Sequence, residues 1–250
     1  MNENISVDSF LSGKIKVNQN NLGYKSGTDA VLLASIVKAT FGQKVLDMGS
    51  GVGVAGLCLA SRIADIEVYG IEVHNYFYEL ALKNSLENQL NSKYIPTLGS
   101  ILNKDFFDFK FDAIMSNPPF YKNHDNKKEF NLKQQGNIEG DAKLSDFIKF
   151  AFANLKNNRY LYIIQRSERL KETLDLLIPK HWGSIELHPI YSYTNKPAKR
   201  FIVIAKKLGS QNNSILHYGI VMHKKNTIYT SRAERILRDG YSFYQQEQEG

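Results

Sequence analysis

The sequence predicts an α/β fold, a mostly parallel sheet with helices on both faces and an antiparallel last strand. Three observations lead there. Short apolar runs alternate with helical stretches from Val45 to Ile178, a rhythm that implies right-handed crossovers and parallel strands. Two of the apolar runs end abruptly in turn-forming polar motifs, KVLDMGSGVG at 44–53 and SNPPFY at 116–121. Open α/β sheets keep their ligands at such carboxyl ends. The last third then breaks the rhythm. Strands at Ile185–Tyr193 and Phe201–Lys206 are separated only by Thr194–Arg200, too short for a crossover helix, so they should run antiparallel.

The chain has 250 residues, 42% of them hydrophobic and 12% aromatic, enough for one full-sized domain with a sizeable core. We expect a single domain over 1–250, with a short N-terminal extension (1–40) and a C-terminal edge extension (210–250). No apolar run approaches the roughly 18–20 residues of a membrane span. The start, MNENISVDSF, lacks the basic and apolar regions of a secretory leader. The single cysteine, Cys58, suits a reducing compartment, so the expectation is a cytoplasmic protein, a monomer or weak dimer. A net charge of +7 favours a polyanionic partner such as nucleic acid.

In order along the chain, Phe10–Val17 alternates and suits a short hairpin bending at Gly13, and Asn18–Lys25 reads as a polar loop. Thr28 or Asp29 can cap a helix running to about Thr40. Val45–Leu46, Ile66–Ile71, Tyr94–Leu98, Phe111–Met115 and Tyr160–Gln165 read as strands. Helices fit Val54–Ala64, Tyr76–Asn88, Leu144–Leu155 and Glu168–Ile178. In the third of these, Phe147, Ile148, Ala151, Phe152 and Leu155 share one face. Ile215–His223 and Thr227–Tyr229 suit an edge strand or hairpin, Ser231–Leu237 a closing helix, and the tail from Gln245 a disordered end.

The glycine loop has a physical purpose. A cofactor lying across the strand ends would be blocked by side chains on the first turn, and Gly49, Gly51 and Gly53 allow close approach and unusual dihedrals. Asp47, at the strand end, can order that loop or accept a hydrogen bond from a cationic cofactor's amine. Glu72, closing the second strand, is placed to accept both hydroxyls of an adenosine ribose. Gly51–Gly56 is formally G-x-G-x-x-G, and Glu72 lies at about the spacing of a dinucleotide fold, so a nicotinamide-dependent oxidoreductase is an alternative. Against it, Asp47 is an awkward neighbour for a pyrophosphate and a good one for a sulfonium amino acid. The whole pattern, D-x-G-x-G-x-G, favours S-adenosylmethionine.

Asn117-Pro118-Pro119-Phe120 is the more specific motif. Two prolines fix the backbone and remove two amide donors. The Asn117 side-chain oxygen and the Pro118 carbonyl can then accept from one planar NH2 group, freeing its lone pair to attack a methyl group. Phe120 offers a face for a flat substrate. Catalysis would be positioning and matched dipoles, with no strong base.

On these residues the chain resembles the class I methyltransferases that modify exocyclic or amide nitrogens. It is most similar to the bacterial tRNA (adenine-N6)-methyltransferases acting on valine tRNA beside the anticodon. The resemblance spans the leader Gly23–Leu33, Val45–Gly53, Glu72, Ser116–Tyr121, Pro197–Arg200 and Tyr229–Thr230. The leader and the PAKR segment are its most discriminating pieces. It implies a Rossmann-like sheet of seven strands, S-adenosylmethionine as cofactor and adenine 37 of tRNA1(Val) as acceptor. It also places Lys25, Ser26 and Asp29 near the cofactor, with Asn117 beside it, and gives Asn117, Pro118, Pro119 and Phe120 the adenine. One position departs from many relatives: where they carry an acid that contacts the cofactor adenine, this chain offers Ser100.

Residues 122–139 are polar with no apolar period, as in a lid beside a site. Lys122, Lys127, Lys128 and Lys133 there, and Lys196, Lys199, Arg200, Lys206, Lys207, Lys224 and Lys225 further on, are candidates for phosphate contacts. The six histidines show no metal-ligand spacing, and no metal is assigned. Two rival readings stay open beside the oxidoreductase. One is a glutamine N5-methyltransferase acting on protein, which would use the same motif on the same planar NH2. The other is a cofactor-binding protein without turnover.

Overall fold

Neighbouring residues of one short strand feed two separate cores, and that fixes the layering. In the computed structural model, which describes residues 5–21, 25–120, 141–178 and 181–245, strand β3 (Lys44–Met48) sends Val45 into one buried cluster and Leu46 into another. Alternation across a strand produces this, and it requires helices on both faces. On the first face lie α1 (Thr28–Ile36), α2 (Val54–Arg62) and α3 (Asn75–Glu87), contributing Leu33, Leu57 and Ala81. On the second lie α4 (Leu144–Asn154) and α5 (Leu170–Leu177), contributing Phe147, Ile148 and Leu177.

The remaining strands are β1 (Ile5–Phe10), β2 (Ile15–Asn20), β4 (Glu67–Glu72), β5 (Tyr94–Leu98), β6 (Phe111–Ser116), β7 (Leu155–Arg166), β8 (Trp182–Tyr191), β9 (Ala198–Lys207), β10 (Ser214–Leu216) and β11 (Ile220–Val221). The main sheet has the order β10-β8-β9-β7-β6-β3-β4-β5, with β11 also on β8, nine strands in all. Pairing is parallel except around β9, which runs antiparallel to both β7 and β8. The expected seven strands are β3 to β9. The short β10 and β11 extend them, both parallel to β8. No helix among the described residues is long and apolar enough to cross a membrane.

Several boundaries differ from the expected ones for identifiable reasons. The N-terminal hairpin pairs Ile5 with Asn20, so β2 runs through residues expected to form a loop. Asn18 tolerates this buried strand position because its backbone N–H and side-chain amide both donate to Asn84 Oδ1, at 2.7 and 2.9 Å. Helix α1 starts after Gly27 with no side-chain cap and ends at Ile36, where Val37 turns extended. Every residue from Ala30 to Ile36 is buried, as a helix apolar all round must be. Leu237, Ile236 and Phe243 close the same core as Leu11 and Ile15, so the segments around 11–15 and 236–243 meet on α1's face of the sheet.

Candidate active site

The carboxyl ends of β3, β4, β5 and β6 enclose a cavity of about 480 Å³. Its floor is the turn after β3. Gly49 and Ser50 donate backbone N–H groups to the Ile71 carbonyl at 3.0 and 3.1 Å, pinning the turn to the end of β4. Gly49, Gly51 and Gly53 all take positive φ, +66°, +56° and +92°, a region that costs other L-residues roughly 1–2 kcal/mol. Their surroundings differ. A Cβ on Gly51 would meet nothing within 4 Å, so this is where a ligand can approach the backbone. One on Gly49 would lie 3.3 Å from the Phe147 ring, and one on Gly53 only 2.6 Å from Tyr94. Gly56 and Gly70 crowd the same tyrosine, at 2.3 and 2.5 Å. The later glycines of the G-x-G-x-x-G spacing thus make room for a buried ring, and Gly53 is not on the cavity wall.

Glu72 ties this half together. Its Oε2 accepts from Gly51 N–H at 2.9 Å and its Oε1 from His74 N–H at 2.8 Å. Each carboxylate oxygen has a second acceptor site, and the side chain lines the cavity. Asp47 is 2% exposed. Burial pushes its carboxyl up to about 7, against the Gly56 N–H that it accepts at 3.1 Å and with the help of the nearby Glu72 charge. A cation arriving at this wall would reverse that cost. Val73, Phe77, Ile101 and Leu102 supply apolar walls, suited to a flat heterocycle. Val73 is 58% exposed and Leu102 51%. Large apolar side chains bared beside polar ones were the signal for these two, and sequence reasoning missed it. Ser100 lines the same wall, its Oγ accepting from Leu102 N–H at 3.2 Å.

The half of the cavity at the end of β6 is built differently. Met48 pairs with Ser116 across β3 and β6, and Ser116 Oγ donates to the Met48 carbonyl at 2.8 Å. Gly49 and Asn117 therefore leave adjacent strand ends together. Asn117 and Pro119 line the cavity. Phe120 is buried, with the Arg200 guanidinium 4.9 Å over its ring. Arg200 also pairs with Asp29, Nε to Oδ2 at 2.5 Å. Arg169 donates to the Pro119 carbonyl at 3.0 Å. Among the leader residues, Ser26 lines the cavity, its N–H and C=O both held by the Gln19 side chain at 2.8 and 3.2 Å. Lys25 instead bonds Ser6 Oγ at 2.6 Å and Asp8 at 3.2 Å, off the cavity wall.

The basic residues divide. Lys196, Lys199 and Arg200 sit at the β8–β9 turn and the start of β9, at the cavity end of the sheet, and Lys224 and Lys225 follow β11 at that end. Beside them the rings of Tyr193, His223 and Tyr229 lie in succession, at 5.6 and 4.9 Å. Lys206 and Lys207 belong to the opposite end of β9. Lys207 is buried and donates to the Phe152 and Leu155 carbonyls, both at 2.7 Å, so the group expected as one basic edge is split. Lys122, Lys127, Lys128 and Lys133 lie outside the described residues. Glu186, His188 and His217 gather within 4.8 Å of one another, a cluster that sequence spacing did not reveal. The two imidazoles are stacked at 4.0 Å and 10°, and both Nε2 atoms approach Glu186 Oε2, at 3.5 Å from His188 and 3.0 Å from His217.

Fold and cavity together define a class I methyltransferase that uses S-adenosylmethionine. The buried Asp47, the open Gly51 and the apolar slot fit that cation and its adenosine. The family model described as methyltransferase small domain matches residues 25–177. A tRNA1(Val) (adenine(37)-N6)-methyltransferase of Flavobacteriaceae bacterium (strain 3519-10) is 30% identical over 94% of this chain and 98% of its own. The chain thus belongs to the methyltransferase small domain family and, within it, to the tRNA1(Val) (adenine(37)-N6)-methyltransferase family. A release factor glutamine methyltransferase of Flavobacterium psychrophilum is 31% identical over 54% of this chain and 50% of its own. Among solved structures, a predicted O-methyltransferase of Agrobacterium tumefaciens shares the fold, with TM-score 0.70 at 21% identity over 88% of this chain and 99% of that one.

Proposed function

We infer that the protein transfers the methyl group of S-adenosylmethionine to the N6 amine of adenine 37 in tRNA1(Val), beside the anticodon. The observation that carries this reading is the pairing of Met48 with Ser116, which sets Asn117 next to the glycine turn in one cavity wall. S-adenosylmethionine supplies an electrophilic methyl on a cationic sulfur. The chain's own residues do the rest. Asp47 provides negative charge beneath the turn, Glu72 offers its remaining acceptor sites to ribose hydroxyls, and Ser26 and Ser100 complete the polar wall. Asn117 Oδ1 and the Pro118 carbonyl accept the two N–H groups of the amine and hold its lone pair toward the methyl. Pro119 keeps the turn rigid, and Phe120 bounds the slot that takes the base. The adenine must leave its stack to enter, which an anticodon loop permits at small cost.

Lys196, Lys199 and Arg200, with the Tyr193–His223–Tyr229 rings, face the tRNA around that base. Residues 1–250 act as one domain, with Leu11 and Ile15 sharing the α1 core with Ile236, Leu237 and Phe243. The relative that modifies glutamine matches only 54% of this chain, whereas the tRNA-modifying relative matches 94% of it. Incubating the protein with tRNA1(Val) and isotope-labelled S-adenosylmethionine, then digesting and weighing the nucleosides, tests the reading. Labelled N6-methyladenosine at position 37 is expected. Label appearing only on a glutamine-bearing release factor would overturn it.

A further inference from the structure

The geometry points to Arg169 as the positioning residue of the acceptor site, holding the Asn-Pro-Pro turn in shape through the Pro119 carbonyl. This rests on the methyl-transfer reading above and adds to it a residue that touches neither cofactor nor acceptor.

The need for such a residue follows from the motif. Pro118 and Pro119 have no N–H, so neither can be tied by a backbone donor of its own. The segment can be anchored only through its carbonyls and the Asn117 amide. If Asn117 Oδ1 and the Pro118 carbonyl must both stay available to one NH2 group, the Pro119 carbonyl is the remaining handle. That carbonyl accepts from Arg169 Nη1 at 3.0 Å and, more weakly, from Gln165 Nε2 at 3.4 Å. Gln165 is fully buried, and the Arg169 side chain is only 7% exposed.

A buried guanidinium is costly unless paired, and here it is paired on its other edge. Arg169 Nε and Nη2 meet the two Glu172 oxygens at 3.1 and 3.0 Å, the planar fork-to-carboxylate contact that fixes orientation as well as position. The pairing also answers an electrostatic problem. Nitrogen methylation develops positive charge on the attacking amine, and an uncompensated cation behind the turn would oppose it. Glu172 cancels that charge, leaving Arg169 to act as a rigid donor. Arg169 enters from the start of the helix after β7, so the first turn beyond one strand sets the geometry at the end of its neighbour.

Displacement of a reacting group by about 1 Å can cost on the order of 100-fold in rate. Arg169→Met, which keeps the bulk and removes the donors, should lower kcat on tRNA1(Val) by roughly 10- to 100-fold. The Kd for S-adenosylmethionine and the KM for tRNA should stay within about threefold, because the glycine turn and the basic edge are untouched. Arg169→Lys, which restores one cationic donor, should recover part of the rate. Glu172→Gln should lower kcat as well, with the cofactor Kd again unchanged.

Folding is monitored by melting temperature and by cofactor binding. If Arg169→Met folds and turns over like the wild type, the assignment is overturned. It is equally overturned if kcat falls only in step with cofactor affinity, without rescue by lysine, since that pattern marks a purely structural ion pair. Should the wild type methylate a glutamine amide instead of adenine, the function above fails. The same kcat comparison on that acceptor then decides the role of Arg169, because both acceptors present a planar NH2. If the wild type methylates neither acceptor, a crystal structure of Arg169→Met decides. An unmoved Pro119 carbonyl would overturn the assignment.

Discussion

The cavity has two halves that meet at the β3–β6 pair and are held by opposite means. The cofactor half is secured by its near neighbours: the Ile71 carbonyl takes two N–H groups of the turn, Glu72 takes a third, and Tyr94 fills the space beneath three glycines. These three supports come from residues 47–94, and each is a hydrogen bond from a backbone N–H or close packing. The acceptor half is secured by side chains from far along the chain, Arg169 on the Pro119 carbonyl and Arg200 over the Phe120 ring. A turn made of glycines has N–H groups to spare and can be pinned by its own sheet. A turn made of prolines has none, so its fixing must come from elsewhere in the molecule.

If the halves are separate devices, substitutions should separate binding from rate. Asn117→Ala is expected to give the largest effect, a loss of kcat on the order of 100- to 1000-fold, as for removal of one preorganised polar group from a transition state. Cofactor affinity by calorimetry should stay close to wild type. A parallel collapse of cofactor binding would mean that the two halves are one unit. Next come the glycines. Gly56→Ala drives a Cβ to 2.3 Å from Tyr94, so it should cost stability first, roughly 1–3 kcal/mol as overpacking does, seen as a lower melting temperature. Gly51→Ala faces open cavity and should weaken cofactor binding by more than its conformational cost of about 1 kcal/mol lowers stability.

A pH series examines the cofactor half alone. Asp47 is raised above its unfolded value to about 7 by burial. Without ligand its contribution to stability is therefore full below about pH 4 and is lost as the pH rises through 7. A cationic cofactor favours the ionised form, so the rise in melting temperature that S-adenosylmethionine produces should grow between about pH 6 and 8. Asp47→Asn should flatten that growth. A cofactor effect that is constant with pH in the wild type would remove Asp47 from the cation's surroundings.

The same division explains what the sequence made legible. The glycine turn, Glu72 and the Asn-Pro-Pro-Phe turn could be read because each is a short stretch whose chemistry is local. The antiparallel β9 was legible from a single short connection. The supports were not. Arg169 looks like one more basic residue of an amphipathic helix until β7 and β6 lie side by side. Tyr94 reads as an ordinary strand aromatic until Gly53, Gly56 and Gly70 are seen to surround it. Asp29 and Arg200, read separately as cofactor and RNA contacts, are bonded to each other. Lys206 and Lys199 stand seven residues apart, and the strand expected over Phe201–Lys206 separates them by its whole length, so their split between opposite ends of the sheet was legible in the sequence.

That last pair gives the finest test of the comparison, because it asks whether the acceptor half extends outward to the tRNA on one side only. Lys199 is exposed at the cavity end of β9, whereas Lys206 lies at the other end beside Tyr160. Removing one lysine–phosphate pair should reduce the slope of log affinity against log salt by about 0.7 to 0.9. Lys199→Glu is therefore expected to weaken tRNA binding several-fold at low salt and to flatten its salt dependence by about one unit, with kcat at saturating tRNA little changed. Lys206→Glu, with the same change in net charge, should leave both quantities where they were. Equal losses from the two would show that the tRNA responds to the overall positive charge of the chain. A loss confined to Lys199 would mark the face that carries Asn117 and Pro119 as the face on which the anticodon arm lies.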